Sequence, residues 1–369
     1  MFDVRKIRFP TSILHKRLKH FQEKLSSKNI DAAMIRIQST FTYFTGTKWL
    51  RPALLIPARE EPMLFAAKGE EDELAQRTWI DNVVTFRDGG DLMAKVSTII
   101  RSSGYRTVGL EYGIERDAYI LFYEMFKRLN PQVNVVDISS IVAEMRMIKD
   151  RYELEAIRKA GEIAAKVMDG VVNVIKPGVS ETEIAAEAYY HAYRLGAEEP
   201  KIYVNIGPNP RVHAEPFRDQ KVIEGLAVTI VLGVDYNHYY ANISRTITEG
   251  HNSEAEKAVK CMKEVYVKAL ELTKPGVKPI NVIMKLDKIY SKHRLIDHRV
   301  IGYLHGVGLQ IEETPITTIV PKHRFIELKP GMAVALVHAP IMLKGAGQIK
   351  HEDTFIVTSK GLEVITEHS

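Results

Sequence analysis

The sequence predicts an α/β domain followed by a larger α+β domain in which one structural unit is used twice. Three observations carry this reading. A chain of 369 residues is too long for one comfortable hydrophobic core. Its first part, roughly 140 residues, alternates short β-rich runs with amphipathic stretches, as layered sheet-and-helix domains do. The string Lys-Pro-Gly-Val then occurs at Lys176 and again at Lys274, 98 positions later (274 − 176), in matching surroundings.

Taken in order, Leu14, Leu18, Phe21 and Leu25 form a helical stripe between Ser12 and Ile30. The runs AAMIRI, PALLIP, PMLFAA, NVVTF and TVGLE read as strands. EEDELAQRTW, DLMAKVSTIIRS and RDAYILFYEMFKRL read as helices between them. MRMIKDRYELEAIRKAGEIAAKVMDGVVNVIKPG reads as one long charged helix opening the second domain, which places the domains at 1–142 and 143–369. Ser180 with Glu183, and Ser253 with Glu256, have capping-box spacing at the starts of two further helices. Another helix begins near Ile280.

After the first Lys-Pro-Gly-Val come a helix, KIYVNIG and the hairpin VTIVLGVDYNHYYANISRTIT, with Asp235 in its turn. After the second come a helix, VIGYLHGVG, AVALVH and EDTFIV. Two such half-domains related by a pseudo-twofold would enclose a cleft between their sheets.

Composition narrows the class. With 45% hydrophobic and 26% charged residues the chain is an ordinary globular protein. A net charge of +5, with basic and acidic residues interspersed, argues against a nucleic-acid partner. The basic runs KHRLIDHR and LHKRLKH fit solvated helix faces. Cys261 is the only cysteine, which excludes disulfide frameworks and fits a cytoplasmic protein; on a helix it reads as a buried small hydrophobe. No run has membrane-spanning length, so no membrane partner is expected. HGVG lacks the spacing of a phosphate-binding loop.

The motifs YNHY, SRT, HGVGL, LKPGM and HEDT, together with TYFTG and RPALLIP near the N-terminus, resemble the pita-bread family of creatinase, prolidase (Xaa-Pro dipeptidase), aminopeptidase P and methionine aminopeptidase. The resemblance covers nearly the whole chain. It implies a creatinase/prolidase-like N-terminal domain, a pita-bread catalytic domain and a homodimer. In the family's metallopeptidases, five side chains hold two divalent ions: two Asp, a His and two Glu.

Carried over residue by residue, the Asp positions are Val231 and Asn242, eleven apart (242 − 231). The His is retained as His305 and the last Glu as Glu352; the first Glu falls on Val337 or His338. The resemblance therefore implies no dinuclear centre and no cofactor. A single divalent ion on His305 and Glu352, with His338 as a third ligand, is a secondary reading. A second family His is replaced by Glu312, beside Glu313. The loop His before the first hairpin is retained as His213. Creatinase cleaves a C–N bond without metal using that loop His. Ser244, however, stands where creatinase has Glu, so creatine is a poor substrate guess.

The expectation is a hydrolase of C–N bonds in a small peptide or amino-acid derivative. His213, His305, Glu313 and Glu352 would be catalytic; His213, Glu312, Asn242 and His338 would contact substrate. A non-catalytic binding protein and a conventional metal-dependent Xaa-Pro dipeptidase are the alternatives.

Overall fold

A computed structural model describes residues 7–113, 118–212, 215–248 and 250–367. The chain divides into two compact units, Met1–Met145 and Arg146–Ser369.

In the first unit, α1 (Thr11–Ser27) buries the stripe Leu14, Leu18, Phe21 and Leu25, and β1 (Ala32–Ile35) is buried throughout. A short helix α2 (Gln38–Thr45) follows, ending on Gly46 at φ +77°. Its sequence, QSTFTYFT, is rich in β-branched and aromatic residues, so local propensity hid it; burial of Phe41, Tyr43 and Phe44 outweighs that propensity. Next come β2 (Leu54–Pro57), β3 (Met63–Ala67), α3 (Glu71–Arg77), β4 (Val83–Phe86), α4 (Gly89–Ser102) and β5 (Thr107–Leu110). Then α5 (Ala118–Leu129), β6 (Asn134–Asp137) and α6 (Ser139–Met147) complete this part of the chain. The strands form one mixed sheet in the order β4-β3-β2-β1-β5-β6. The strand β6 was not evident in the sequence because its four residues are only partly buried.

The long charged helix opening the second unit is in fact two. Between α6 and α7 (Arg151–Val172), Asp150 accepts from Tyr152 N and Glu153 N, and the Glu153 carboxylate accepts from Asp150 N. A capping box inside the run thus restarts the helix. Two parallel series of elements follow. The first has α8 (Glu181–Arg194), β7 (Lys201–Ile206), β8 (Ala227–Tyr236) and β9 (Tyr239–Thr248). The second has α9 (Ser253–Leu272), α10 (Pro279–Lys292), β10 (Leu304–Gly306), β11 (Glu313–Ile316) and β12 (Ala333–Leu336). It ends with β13 (Ile341–Leu343), β14 (Gly347–Ile349), β15 (Asp353–Thr358) and β16 (Gly361–Val364).

The repeat is exact in the second helix of each half. Both α8 and α10 have 14 residues, and they start 98 positions apart (279 − 181), the spacing of the two Lys-Pro-Gly-Val strings. Gly178 and Gly276 sit at φ +92° and +85°, a conformation only glycine adopts without a Cβ penalty. The repeated string is therefore a repeated turn. Ser180 caps α8 in the expected capping box with Glu183. At α9 the cap is Asn252 instead of Ser253: its carboxamide accepts from Glu254 N and Ala255 N. Glu256 turns to His251, at 2.8 Å.

The first half packs α7 and α8 onto the antiparallel sheet β7-β8-β9 through Val167, Ile184, Val204, Ile230 and Leu232. The second packs α9 and α10 onto the sheet β11-β10-β12-β15-β16 through Val265, Leu286, Leu304, Leu336 and Phe355. Cys261 lies in this core; burial pushes its thiol up to about 12, so it is inert at neutral pH. Strands β8 and β9 pair without a slip and turn through Asn237 and His238 at φ +48° and +71°, a two-residue hairpin loop. Asp235 is accordingly a buried strand residue and not part of the turn. Its carboxylate accepts from Glu198 N (3.1 Å) and Glu199 N (2.8 Å). Among the described residues no helix is long and apolar enough to cross a membrane.

Candidate functional site

The motifs SRT and HEDT meet along a seam that joins the two half-domains. Ser244 and Glu352 form an antiparallel backbone bridge, with N–H···O distances of 3.0 and 3.1 Å. On either side, a threonine hydroxyl replaces the next backbone pair. Thr246 Oγ1 donates to Lys350 O and accepts from Lys350 N (2.9 and 2.8 Å). Thr354 Oγ1 donates to Asn242 O and accepts from Asn242 N (both 2.8 Å). Arg245 donates to Glu352 O and pairs with the buried Asp353 at 3.0 Å. These motif residues serve as mortar, holding two walls of a site at fixed separation.

The walls bring together His305, His338 and Glu352, all buried, each with a ligating atom within 4.8 Å of the others. The rings of His305 and His338 meet edge to face, 4.4 Å between centroids. His305 Nδ1 lies 2.9 Å from Gly306 O; a carbonyl only accepts, so Nδ1 carries the hydrogen. That fixes Nε2 toward Glu352 Oε1 (3.3 Å), Asn242 Nδ2 (3.5 Å) and Glu312 Oε1 (4.0 Å). The Asn242 amide is oriented by donating to Ile311 O at 2.9 Å.

The other Glu352 oxygen, Oε2, is 2.9 Å from Lys350 Nζ, with the two side chains 1% and 10% exposed. The contact is not aligned as a hydrogen bond, so charge holds the pair together. Burial alone would raise the Glu352 pKa, but the Lys350 ammonium and His305 hold it far below the usual carboxylate range. For His305, burial works against the charged ring, yet Glu352 and Glu312 keep its pKa above the ordinary value. The result is an ionised carboxylate between an ammonium and a histidine whose charged form it favours, beside a second imidazole. Such a cluster can grip a polar group and hold a proton at His305 Nε2.

Of the remaining expected residues, Val231 lies on β8 opposite Ser244 and Tyr203, half-buried. The backbone sends Val337 and His338 in different directions. Val337 takes φ +59° and packs in the second core, and His338 joins the cluster. Glu313 does not belong to the site in the sense expected. Its carboxylate is buried against Lys149 Nζ (2.8 Å) and Arg146 Nη2 (2.6 Å), and against burial these cations hold its pKa down. A carboxylate clasped by two cations is a strut for the segment Arg146–Lys149, not an acid or base. His213 lies outside the described residues. Lys350 was overlooked by sequence reasoning, although two residues before Glu352 on an extended segment it falls on the same face.

Residues 155–359 match the model of metallopeptidase family M24, and residues 17–148 match the creatinase/prolidase N-terminal domain. The first match spans more than half of the chain, which thus belongs to metallopeptidase family M24 and carries the pita-bread domain behind a creatinase-type N-terminal domain. Among particular relatives, the Xaa-Pro dipeptidase of Pyrococcus furiosus is 27% identical over 361 residues, 96% of this chain and 98% of that one. The crystal structure of the prolidase from Pyrococcus horikoshii OT3 superposes with a TM-score of 0.86 at 25% identity, covering 96% of this chain and 99% of that one. Aminopeptidase P from E. coli shares the fold, with a TM-score of 0.80 at 19% identity over 97% of this chain and 95% of that one.

Proposed function

We propose that this chain is a prolidase- or creatinase-like hydrolase of C–N bonds in a small peptide or amino-acid derivative, working without a dinuclear metal centre. The inventory around His305 carries the reading. The residues do not fit two divalent ions. Two dications would bring four positive charges and Lys350 a fifth, against Glu352 and the part-exposed Glu312. About three charges would stay uncompensated in a buried setting, a prohibitive cost. Without metal, Lys350 balances Glu352, and Glu312 and Glu352 favour the protonated form of His305.

In this reading Glu352 stays ionised and orients His305, whose Nε2 proton is available to a leaving nitrogen. Asn242 and His338 contact substrate, and His213, which lies outside the described residues, is the remaining acid or base. The Xaa-Pro dipeptidase and prolidase among its relatives point to Xaa-Pro dipeptides as the first substrates to try. We further propose a cytoplasmic homodimer.

The test is turnover of Xaa-Pro dipeptides and of small amides and amidines in the presence of chelator. Activity retained there and abolished by His213→Ala is the expected outcome. Two tightly bound Mn²⁺ or Co²⁺ ions per chain, with metal-stimulated Xaa-Pro cleavage, would restore the conventional dipeptidase and overturn the proposal. One observation favours a second reading, a non-catalytic binding protein: His305 is only 1% exposed and Glu352 is already committed to Lys350. Proline dipeptides that raise Tm without being cleaved would establish that reading instead.

A further inference from the structure

We infer that Lys350 is the resident cation of the site: its ammonium takes the electrostatic place of a metal ion and keeps divalent ions off a triad that is otherwise shaped to hold one. The inference rests on the metal-free reading above and deepens it.

His305, His338 and Glu352 place three ligating atoms within 4.8 Å of one another, two nitrogens and one oxygen, all buried. A tetrahedral ion bound at roughly 2.0–2.2 Å to such ligands needs only a modest contraction of this spacing. The His305 tautomer is also suitable, because Gly306 O holds the hydrogen on Nδ1 and leaves Nε2 facing the other two ligands. Donor type and geometry therefore do not exclude an ion. Charge does. Glu352 is the triad's single carboxylate, and Lys350 Nζ stands 2.9 Å from its Oε2 in a nearly water-free setting. An ion on Glu352 would lie within a few ångströms of the ammonium, and both would draw on the same negative charge.

Lys350 cannot easily withdraw. Its backbone N and O are both tied to Thr246 Oγ1 in the seam, and its side chain is 10% exposed. Val231 and Asn242 supply no further carboxylate to compensate an ion, and the nearby Glu312 is part-exposed and 4.0 Å from His305 Nε2. The ammonium and the missing carboxylates are thus two sides of one change in charge balance.

Metal binding to the full chain, measured without substrate, tests this. The probes are Zn²⁺ alone by equilibrium dialysis and Co²⁺ alone by its visible absorption. The wild type is expected to bind neither ion at micromolar concentration. Lys350→Met is expected to bind one ion per chain, at least a hundredfold tighter than the wild type, with Co²⁺ bands typical of a low-coordinate nitrogen/oxygen site. Adding His338→Ala to Lys350→Met should abolish that gain. Lys350→Gln, which keeps a polar side chain in place, should show the same gain and serves if the methionine variant folds poorly. A wild type that binds one ion as tightly as the Lys350 variants would overturn the inference, as would variants that fold and still bind none. These failures are separate from failure of the hydrolase reading, which is decided by turnover in chelator.

Discussion

The two walls of the site come from two half-domains built from similar series of elements, and they present different residues. The first wall, β8 and β9, presents Val231 and Asn242 and is held mainly by an apolar core of Ile230, Leu232 and Val204 against α7 and α8. The second presents His305, His338, Glu352 and Lys350 over an apolar core of its own, with charged supports beside the site: Glu313 between Arg146 and Lys149, Asp353 beneath Arg245. Turns, caps and seam have kept the repeat's backbone in both halves. The difference teaches that the frame and the chemistry of this fold are specified by separate residues. One wall presents no carboxylate at Val231 or Asn242, yet pairs with the other along a regular seam.

Breaking the charged supports should have the largest effect. Glu313→Ala removes the carboxylate that two buried cations share and should cost about 3–5 kcal/mol, read from the urea midpoint of unfolding. The same carboxyl governs a pH effect. Its folded pKa lies below the ordinary value of 4.5, so its contribution is full above that value and is lost as pH falls through the folded pKa. Glu313→Gln, less stable at neutral pH, should show a flatter decline of Tm below about pH 4.5 than the wild type does. On the apolar wall, Ile230→Ala opens a cavity in a fully buried position and should cost about 3 kcal/mol. If that variant altered the acid dependence as well, the division into an apolar and a charged wall would fail.

Smaller effects sharpen the comparison of the two repeats. Ser180→Ala and Asn252→Ala each remove a helix cap and should cost about 1 kcal/mol. Ser253→Ala should stay within about 0.5 kcal/mol, because Ser253 is not the cap. Smallest is Val337→Gly. Relief of the positive φ is worth about 1–3 kcal/mol. Loss of the buried valine side chain costs about as much. The denaturation midpoint should therefore scarcely move.

Much of this was legible in the sequence. The repeat, the two Lys-Pro-Gly turns and five of the six strands of the first unit follow from spacing and residue type, while His305 and Glu352 were singled out by the family resemblance. What escaped has specific physical causes. The helix α2 is written in strand-forming residues and exists because it is buried. The Asp150 cap interrupts a run of helix formers that shows no break in its periodicity. Glu313 looked like part of the site because sequence gives adjacency and not direction; its partners come from residues more than 160 positions away. Lys350 carried a signal, two residues before Glu352, but a lone lysine on a strand reads as surface until its burial is known.

The positive φ of Val337 has one more consequence. A β-strand keeps time in twos, each residue facing opposite to the last, and a left-handed residue inserts an off-beat. Counting from Ala333 at the start of β12 loses the rhythm at Val337, and the side chain delivered to the triad is the one after it. A single backbone torsion thus chooses which residue of a pair takes part in the chemistry. Whether this position supplies a valine methyl or an imidazole is decided by the beat of the main chain.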